Sequence, residues 1–263
     1  MTETRWQNRE IIIYLSFLRE KTLNQNIKTK LIKNYQNRKL WYGNKSFREC
    51  AEFFEIEAVR AGIEKGDRLL EIGFGEGLFL DWARESGFNI SGVEINHDFY
   101  VLAKERGHNV YLGDAKEVLQ NLDKKYNGIF LFDVLEHLSL EEVSGLFDFF
   151  RTILGKKGKI LARVPNGGSP FGRYLQNSDA THVTALTGSK LQDIAQLSGL
   201  EVKRIYNGAR TRKTGAHKNW LLKSIAYGLR DLIQLAIGYL YYGENIPLDP
   251  NLTIVIGHSS EDQ

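Results

Sequence analysis

The chain has 263 residues, 42% of them hydrophobic and 25% charged, which is enough for one well-cored domain with additions and too few for two full domains. Only four prolines occur, so collagen-like and low-complexity classes are excluded, and the single cysteine, Cys50, rules out an internal disulfide. A net charge of +3 carries no global nucleic-acid signature.

The charge is uneven. Residues 1–48 hold eleven Lys/Arg against three Asp/Glu, an excess that suits either an anionic partner or a solvated helix face. Residues 8–40 read as helical. Their apolar run, Ile11 to Leu18, is bounded by charges and is too short for a processed leader or a bilayer span. A cytoplasmic protein is expected. Ser46 followed by Glu49 forms a capping box, which starts a helix over Phe47–Ala61.

From Arg68 short apolar runs alternate with amphipathic segments. Strands are expected at Arg68–Ile72, Ile90–Glu94, Val110–Leu112, Gly128–Phe132, Lys159–Val164 and Glu201–Tyr206, with a last one at Leu252–Ile256. Helices are expected at Leu78–Ser86, His97–Arg106, Ala115–Asn121, Leu140–Leu154 and Ser189–Ser198. This rhythm implies right-handed crossovers and a mostly parallel sheet with helices on both faces. Four regions follow: an N-terminal helical extension (1–46), a core (47–206), a helical insertion or cap (207–250), and the last strand and tail (251–263). The insertion contains a basic loop, with Arg210, Arg212, Lys213, His217 and Lys218, and then an apolar helical stretch from Trp220 to Tyr242. Tyrosines aside, the second half of that stretch has one polar side chain, Gln234. The stretch is expected to pack on the N-terminal region or to form a homodimer, with at most peripheral contact with an anionic membrane.

The loop after the first strand is the strongest local signal. In Glu71-Ile72-Gly73-Phe74-Gly75-Glu76-Gly77-Leu78, three glycines let the backbone turn sharply and approach a ligand, and the helix that follows presents its positive end. The dinucleotide fingerprint requires Gly or Ala where Leu78 stands, so a nicotinamide cofactor is not expected. Glu94 ends the second strand, where a carboxylate can accept both hydroxyls of a ribose. Asp114 follows the third strand and can cap the helix at Ala115. Asp133 ends the fourth strand in Asp133-Val134-Leu135-Glu136-His137-Leu138.

As a set, over about residues 50–206, these motifs resemble the class I S-adenosylmethionine-dependent methyltransferases. The resemblance implies a Rossmann-like sheet of seven strands, with the last strand antiparallel beside the sixth. It implies S-adenosylmethionine as cofactor, held by Glu71, Gly73, Phe74, Gly75, Gly77, Glu94, Ile95, Asp114, Ala115, Asp133, Val134 and His137. Glu71 would lie near the methionine amino group and Asp114 would meet the adenine amino group.

The run after the fourth strand is similar to that of small-molecule enzymes such as the ubiquinone-biosynthesis O-methyltransferases. The Asp/Asn-Pro-Pro-aromatic motif of amino-methylating DNA enzymes is missing there, and Cys50 lies before the glycine loop, so neither base-methylation mechanism has its residues. The segment Val164-Pro165-Asn166-Gly167-Gly168 leading to Asp179-Ala180-Thr181-His182 resembles methyltransferases of bacterial surface-polysaccharide biosynthesis. That implies a saccharide or glycan-linked hydroxyl as acceptor. His182 is a candidate base; His137 is a second, or else lines the cofactor pocket. Proximity without a dedicated base is the remaining option. No metal is assigned. An RNA methyltransferase using the basic N-terminal region and a non-catalytic cofactor-binding protein are the alternatives.

Overall fold

The first strand, β1 (Arg68–Ile72), is buried on both faces beyond its first residue, as expected of a strand at the middle of a parallel sheet. A computed structural model of the protein describes residues 46–120, 124–212 and 220–259. The expected helices within residues 8–40, together with Asn121 and the basic-loop residues Lys213, His217 and Lys218, lie outside the described residues.

In chain order β1 is preceded by α1 (Phe47–Ala61) and followed by α2 (Leu78–Glu85), β2 (Asn89–Glu94), α3 (His97–Glu105), β3 (Val110–Leu112), α4 (Ala115–Leu119) and β4 (Tyr126–Phe132). A 3-10 turn (Leu135–His137) leads to α5 (Leu140–Ile153), β5 (Leu154–Pro165), α6 (Arg173–Ser178), α7 (Gly188–Leu197), β6 (Leu200–Asn207), α8 (Trp220–Tyr242) and β7 (Asn251–His258). The seven strands run in the order β3-β2-β1-β4-β5-β7-β6. β7 is antiparallel to both neighbours, placed between β5 and β6, and the other pairings are parallel.

Side-chain alternation along β4 divides the core. Ile129 and Leu131 join Leu70, Ile72 and Val93 under α4, α5 and α7, which contribute Leu119, Phe147, Phe150 and Leu191. Phe130 and Phe132 face the other way, toward α1 and α2. There Phe79 sits 4.7 Å from Phe130, 5.3 Å from Phe54 and 5.4 Å from Trp82 between ring centroids. Such pairs each add about 0.5–1.5 kcal/mol beyond area burial. The Ser46 amide donates to Glu49 Oε2 at 2.9 Å, giving the carboxylate half of the expected capping box.

Helix α8 differs from the rest. Gly238 alone among its residues is buried, and Trp220, Leu221, Leu222, Leu229, Leu232, Leu240 and Tyr241 are exposed. Its attachment to the core is polar. Gln234 Oε1 accepts from Asn207 Nδ2 at 2.7 Å and from the Leu248 amide at 3.1 Å. Gln234 Nε2 donates to Asn245 at 2.8 Å, and Asp231 binds Arg210 at 2.6 Å. The lone polar residue of the apolar half is thus one of its fastening points. The expected packing on the N-terminal region involves residues outside the described ones. No described helix is long and apolar enough to cross a membrane.

Candidate active site

The carboxyl ends of β1, β2, β3 and β4 lie side by side, so the loops that follow them converge at one edge of the sheet. Gly73, Gly75 and Gly77 all take positive φ, at 68°, 51° and 73°, conformations that side chains with a Cβ rarely adopt. The loop is tied down by its amides: Gly73 donates to the Val93 carbonyl at 2.8 Å, and Gly75 donates to Glu94 Oε2 at 2.9 Å. The other Glu94 oxygen accepts from the Asn96 amide at 2.9 Å. The Phe74 ring packs over Gly92 inside the protein.

Glu71 is 4% exposed and its Oε2 has no hydrogen-bond partner. Burial, then the neighbouring Glu94 and Asp81 carboxylates, push its pKa well above the ordinary 4.5. A buried carboxyl with one unsatisfied oxygen at this point can take a cation as its partner. An amino-acid ammonium such as that of S-adenosylmethionine would satisfy it, so the residues present fit this donor. Burial also raises Glu94, although amides from Asn96 and Gly75 work against the shift. Next to it Ile95 is 62% exposed, presenting an apolar side chain on which an adenine can rest.

Two of the expected contact residues also make bonds within the fold. Asp114 Oδ1 accepts from the Lys116 amide at 2.8 Å, so the residue caps α4. Asp133, the single non-glycine residue of positive φ (57°) among those described, engages Arg163 through both carboxylate oxygens, with Nε 3.0 Å from Oδ1. Val134 presses its Cγ2 on Gly73, and Ala115 is buried at the start of α4.

The 3-10 turn after β4 brings His137 beside His182, which is 45 positions later in the chain. Their rings meet edge to face at 4.7 Å. His182 Nδ1 lies 3.0 Å from the Gln176 carbonyl, and His137 Nδ1 lies 3.2 Å from the Thr181 carbonyl and 2.9 Å from its hydroxyl. Burial, then the charge of His182, lower the pKa of His137. Glu136, missed in the sequence, completes the group: it is fully buried, neither carboxylate oxygen has a hydrogen-bond partner, and Oε1 is 3.8 Å from His182 Nε2. Burial, then Asp133, push its pKa well above the ordinary range. The hint in the sequence was its position next to His137.

Asn166 also has a structural role. It donates to the carbonyls of Pro247 at 3.0 Å and Asp249 at 3.2 Å, and accepts from the Gly168 amide at 3.1 Å. The loop after β5 is thereby stitched to the segment leading into β7.

Residues 42–205, more than half of the chain, match the family model described as a methyltransferase domain. No curated protein matches. Among solved structures, the chain is similar to an S-adenosylmethionine-dependent methyltransferase from Archaeoglobus fulgidus, with a TM-score of 0.62 and 21% identity over 84% of this chain and 98% of that one. It is also similar to magnesium protoporphyrin IX methyltransferase from Synechocystis with bound S-adenosylhomocysteine, with a TM-score of 0.54 and 12% identity over 91% and 100% of the two chains. A third likeness, to an S-adenosylmethionine-dependent methyltransferase from Clostridium acetobutylicum, has a TM-score of 0.55 and 10% identity over 88% and 99%. These likenesses share the seven-stranded fold, and with the family match they give the conclusion: the chain belongs to the methyltransferase-domain family and is an S-adenosylmethionine-dependent methyltransferase.

Proposed function

We propose that this enzyme methylates a hydroxyl group of a saccharide or of a glycan-linked acceptor. The observation that carries the reading is the cluster of half-buried His137 and His182 with buried Glu136, which adjoins the glycine loop through Val134. Amines and thiolates are nucleophilic near neutral pH, whereas an alcohol gains most from help in losing its proton. When bound, S-adenosylmethionine supplies an electrophilic methyl on a sulfonium. The acceptor oxygen forms the new C–O bond, the C–S bond breaks with its electron pair going to sulfur, and the hydroxyl proton leaves with the assistance of His182 and His137.

A sugar acceptor is supported by the segment that carries His182. Phe171 and Tyr174, on and just before α6, are 54% and 77% exposed, and the C–H faces of sugar rings rest well on such aromatic surfaces. The apolar exposed side of α8, with Lys223 and Arg230 on the same helix, supports peripheral contact with an anionic membrane at its cytoplasmic face, or pairing with a second copy. Polysaccharide biosynthesis is the matching cellular setting.

The test is turnover with labelled donor against a panel of glycans, small alcohols, amines, thiols and RNA. Label in an alkali-stable ether on a glycan is expected. Label on nitrogen, on sulfur or on RNA would overturn the reading. Flotation with anionic vesicles and light scattering separate membrane contact from dimerisation.

A further inference from the structure

We propose that Glu136, His137 and His182 form a binding site for one divalent transition-metal cation. One ligand atom from each residue lies within 4.8 Å of the other two. Two imidazoles and one carboxylate suit Zn²⁺, Co²⁺ or Mn²⁺ better than Mg²⁺, which prefers an all-oxygen shell. Tetrahedral bonds of about 2.1 Å place ligand atoms roughly 3.4 Å apart, so modest side-chain movement seats the ion.

The surrounding hydrogen bonds set up both rings for this role. Main-chain carbonyls only accept, so the Gln176 carbonyl fixes the proton of His182 on Nδ1, and the Thr181 carbonyl does the same for His137. The second nitrogen, Nε2, is then the ligating atom of each ring. Backing of a ring N–H by a carbonyl is the usual support of a metal-bound histidine. Thr181 is itself oriented: its hydroxyl donates to Asp179 Oδ1 at 2.7 Å, and its amide donates to the same oxygen at 2.8 Å. Next to these rings stands a fully buried carboxylate with two unsatisfied oxygens, 3.8 Å from the nearest imidazole nitrogen and beyond hydrogen-bond reach. A cation bound there satisfies the buried carboxylate, whose oxygens have no hydrogen-bond partner.

The backbone holds the two halves in register, because the Glu136 carbonyl accepts from the amides of Val183 at 2.8 Å and Thr184 at 3.1 Å. Three protein ligands leave a coordination position open for an oxygen. The role of the ion in turnover rests on the hydroxyl-acceptor reading: it would hold the acceptor oxygen and ease loss of its proton, so that the two imidazoles assist as ligands of the ion rather than by taking the proton themselves. The site itself does not depend on that reading.

The experiment is titration of chelator-stripped full-length enzyme with Co²⁺, followed by visible absorption, and with Zn²⁺ by calorimetry. One equivalent per chain is expected, with a Co²⁺ ligand-field band. Glu136→Gln and His182→Ala should each abolish the band. Thr181→Val, which leaves all three ligands in place, should weaken binding by about tenfold. Circular dichroism verifies folding, and His182→Gln replaces any variant that fails it. Absence of the band in the wild-type enzyme, or an unchanged band in the folded ligand variants, would overturn the proposal. Full hydroxyl methylation by stripped enzyme that binds no Co²⁺ sinks the cation alone. Co²⁺ binding without hydroxyl methylation sinks the acceptor reading alone.

Discussion

The side chain of Val134 fills the space that a Cβ at Gly73 would need, since such an atom would lie 2.8 Å from Val134 Cγ2. The loop after β4 therefore presses on the loop after β1, and the shape of the donor pocket depends on both. Gly73 also takes a φ of 68°, which costs an alanine roughly 1–2 kcal/mol. Gly73→Ala should lower affinity for S-adenosylhomocysteine at least about tenfold, a loss of 1.4 kcal/mol or more. Val134→Ala in the same chain should restore part of it by removing the clash but not the backbone strain. Calorimetry on the two single variants and the double variant checks this; strictly additive losses would show that the contact carries nothing.

Glu71 gives a prediction in pH. Its folded pKa is raised well above 4.5 by burial and by Glu94 and Asp81, whereas the unfolded chain ionises near the ordinary value. The stability it contributes is complete below that value and is lost as pH rises toward the folded pKa. Glu71→Gln removes this loss. The ligand-free variant should melt above the wild-type enzyme at neutral pH, with a gap that narrows to nothing near pH 4.5. Saturating S-adenosylmethionine should reverse the order, because its ammonium needs the carboxylate. Thermal melts at several pH values, with and without donor, decide the matter.

The strand ends and the glycine loop could be read from sequence because their signals are local. Glycine spacing, a carboxylate at the end of each of the first four strands and the alternation of apolar runs are all local patterns. What escaped was nonlocal or disguised. Glu136 acquires its meaning from His182, 46 positions away, whose approach depends on backbone pairing of Val183 and Thr184 with the Glu136 carbonyl. β5 begins at Leu154 rather than Lys159, because Gly155-Lys156-Lys157-Gly158 has the composition of a turn while Gly158 lies against the Tyr126 carbonyl, where a Cβ would come within 2.7 Å. α6 has six residues, none of them buried, and so left no apolar period to find. Asn166, taken with Pro165 as a mark of the acceptor loop, spends its side-chain nitrogen on the carbonyls of Pro247 and Asp249, 81 and 83 positions further along.

His182→Ala should reduce turnover by more than about tenfold with nearly unchanged donor affinity, the scale of lost proton-transfer assistance. The ring touches the Gln176 carbonyl, His137 and Glu136, none of which belongs to the glycine loop. Single-turnover rates alongside calorimetry with S-adenosylhomocysteine separate the two quantities. Unaltered turnover would remove His182 from the reaction.

Gln234→Ala should destabilise the protein by about 1–3 kcal/mol, since it leaves Asn207 and the Leu248 amide without their acceptor. Gln234→Glu, which keeps an acceptor oxygen, should cost less. Urea denaturation measures both. An alanine variant as stable as wild type would show that α8 is held by something other than this group.

The position of β7 has a consequence for how the chain comes together. Residues 251–258 supply the partner of β6 and the outer neighbour of β5, and β6 pairs with no other strand among the described residues. During synthesis every earlier strand emerges before the one that joins them. Until then β5 has an open edge and β6 has no sheet to join, with Ile160, Ala162 and Val164 waiting for Leu252, Ile254 and Ile256 to cover the same core. Such late, long-range closure slows folding and leaves sticky strand edges uncovered in the nascent chain. A ribosome stalled before Asn251 would therefore display β1 to β4 already able to pair, beside a bare β5 edge and an undocked β6 that are still open to chaperones.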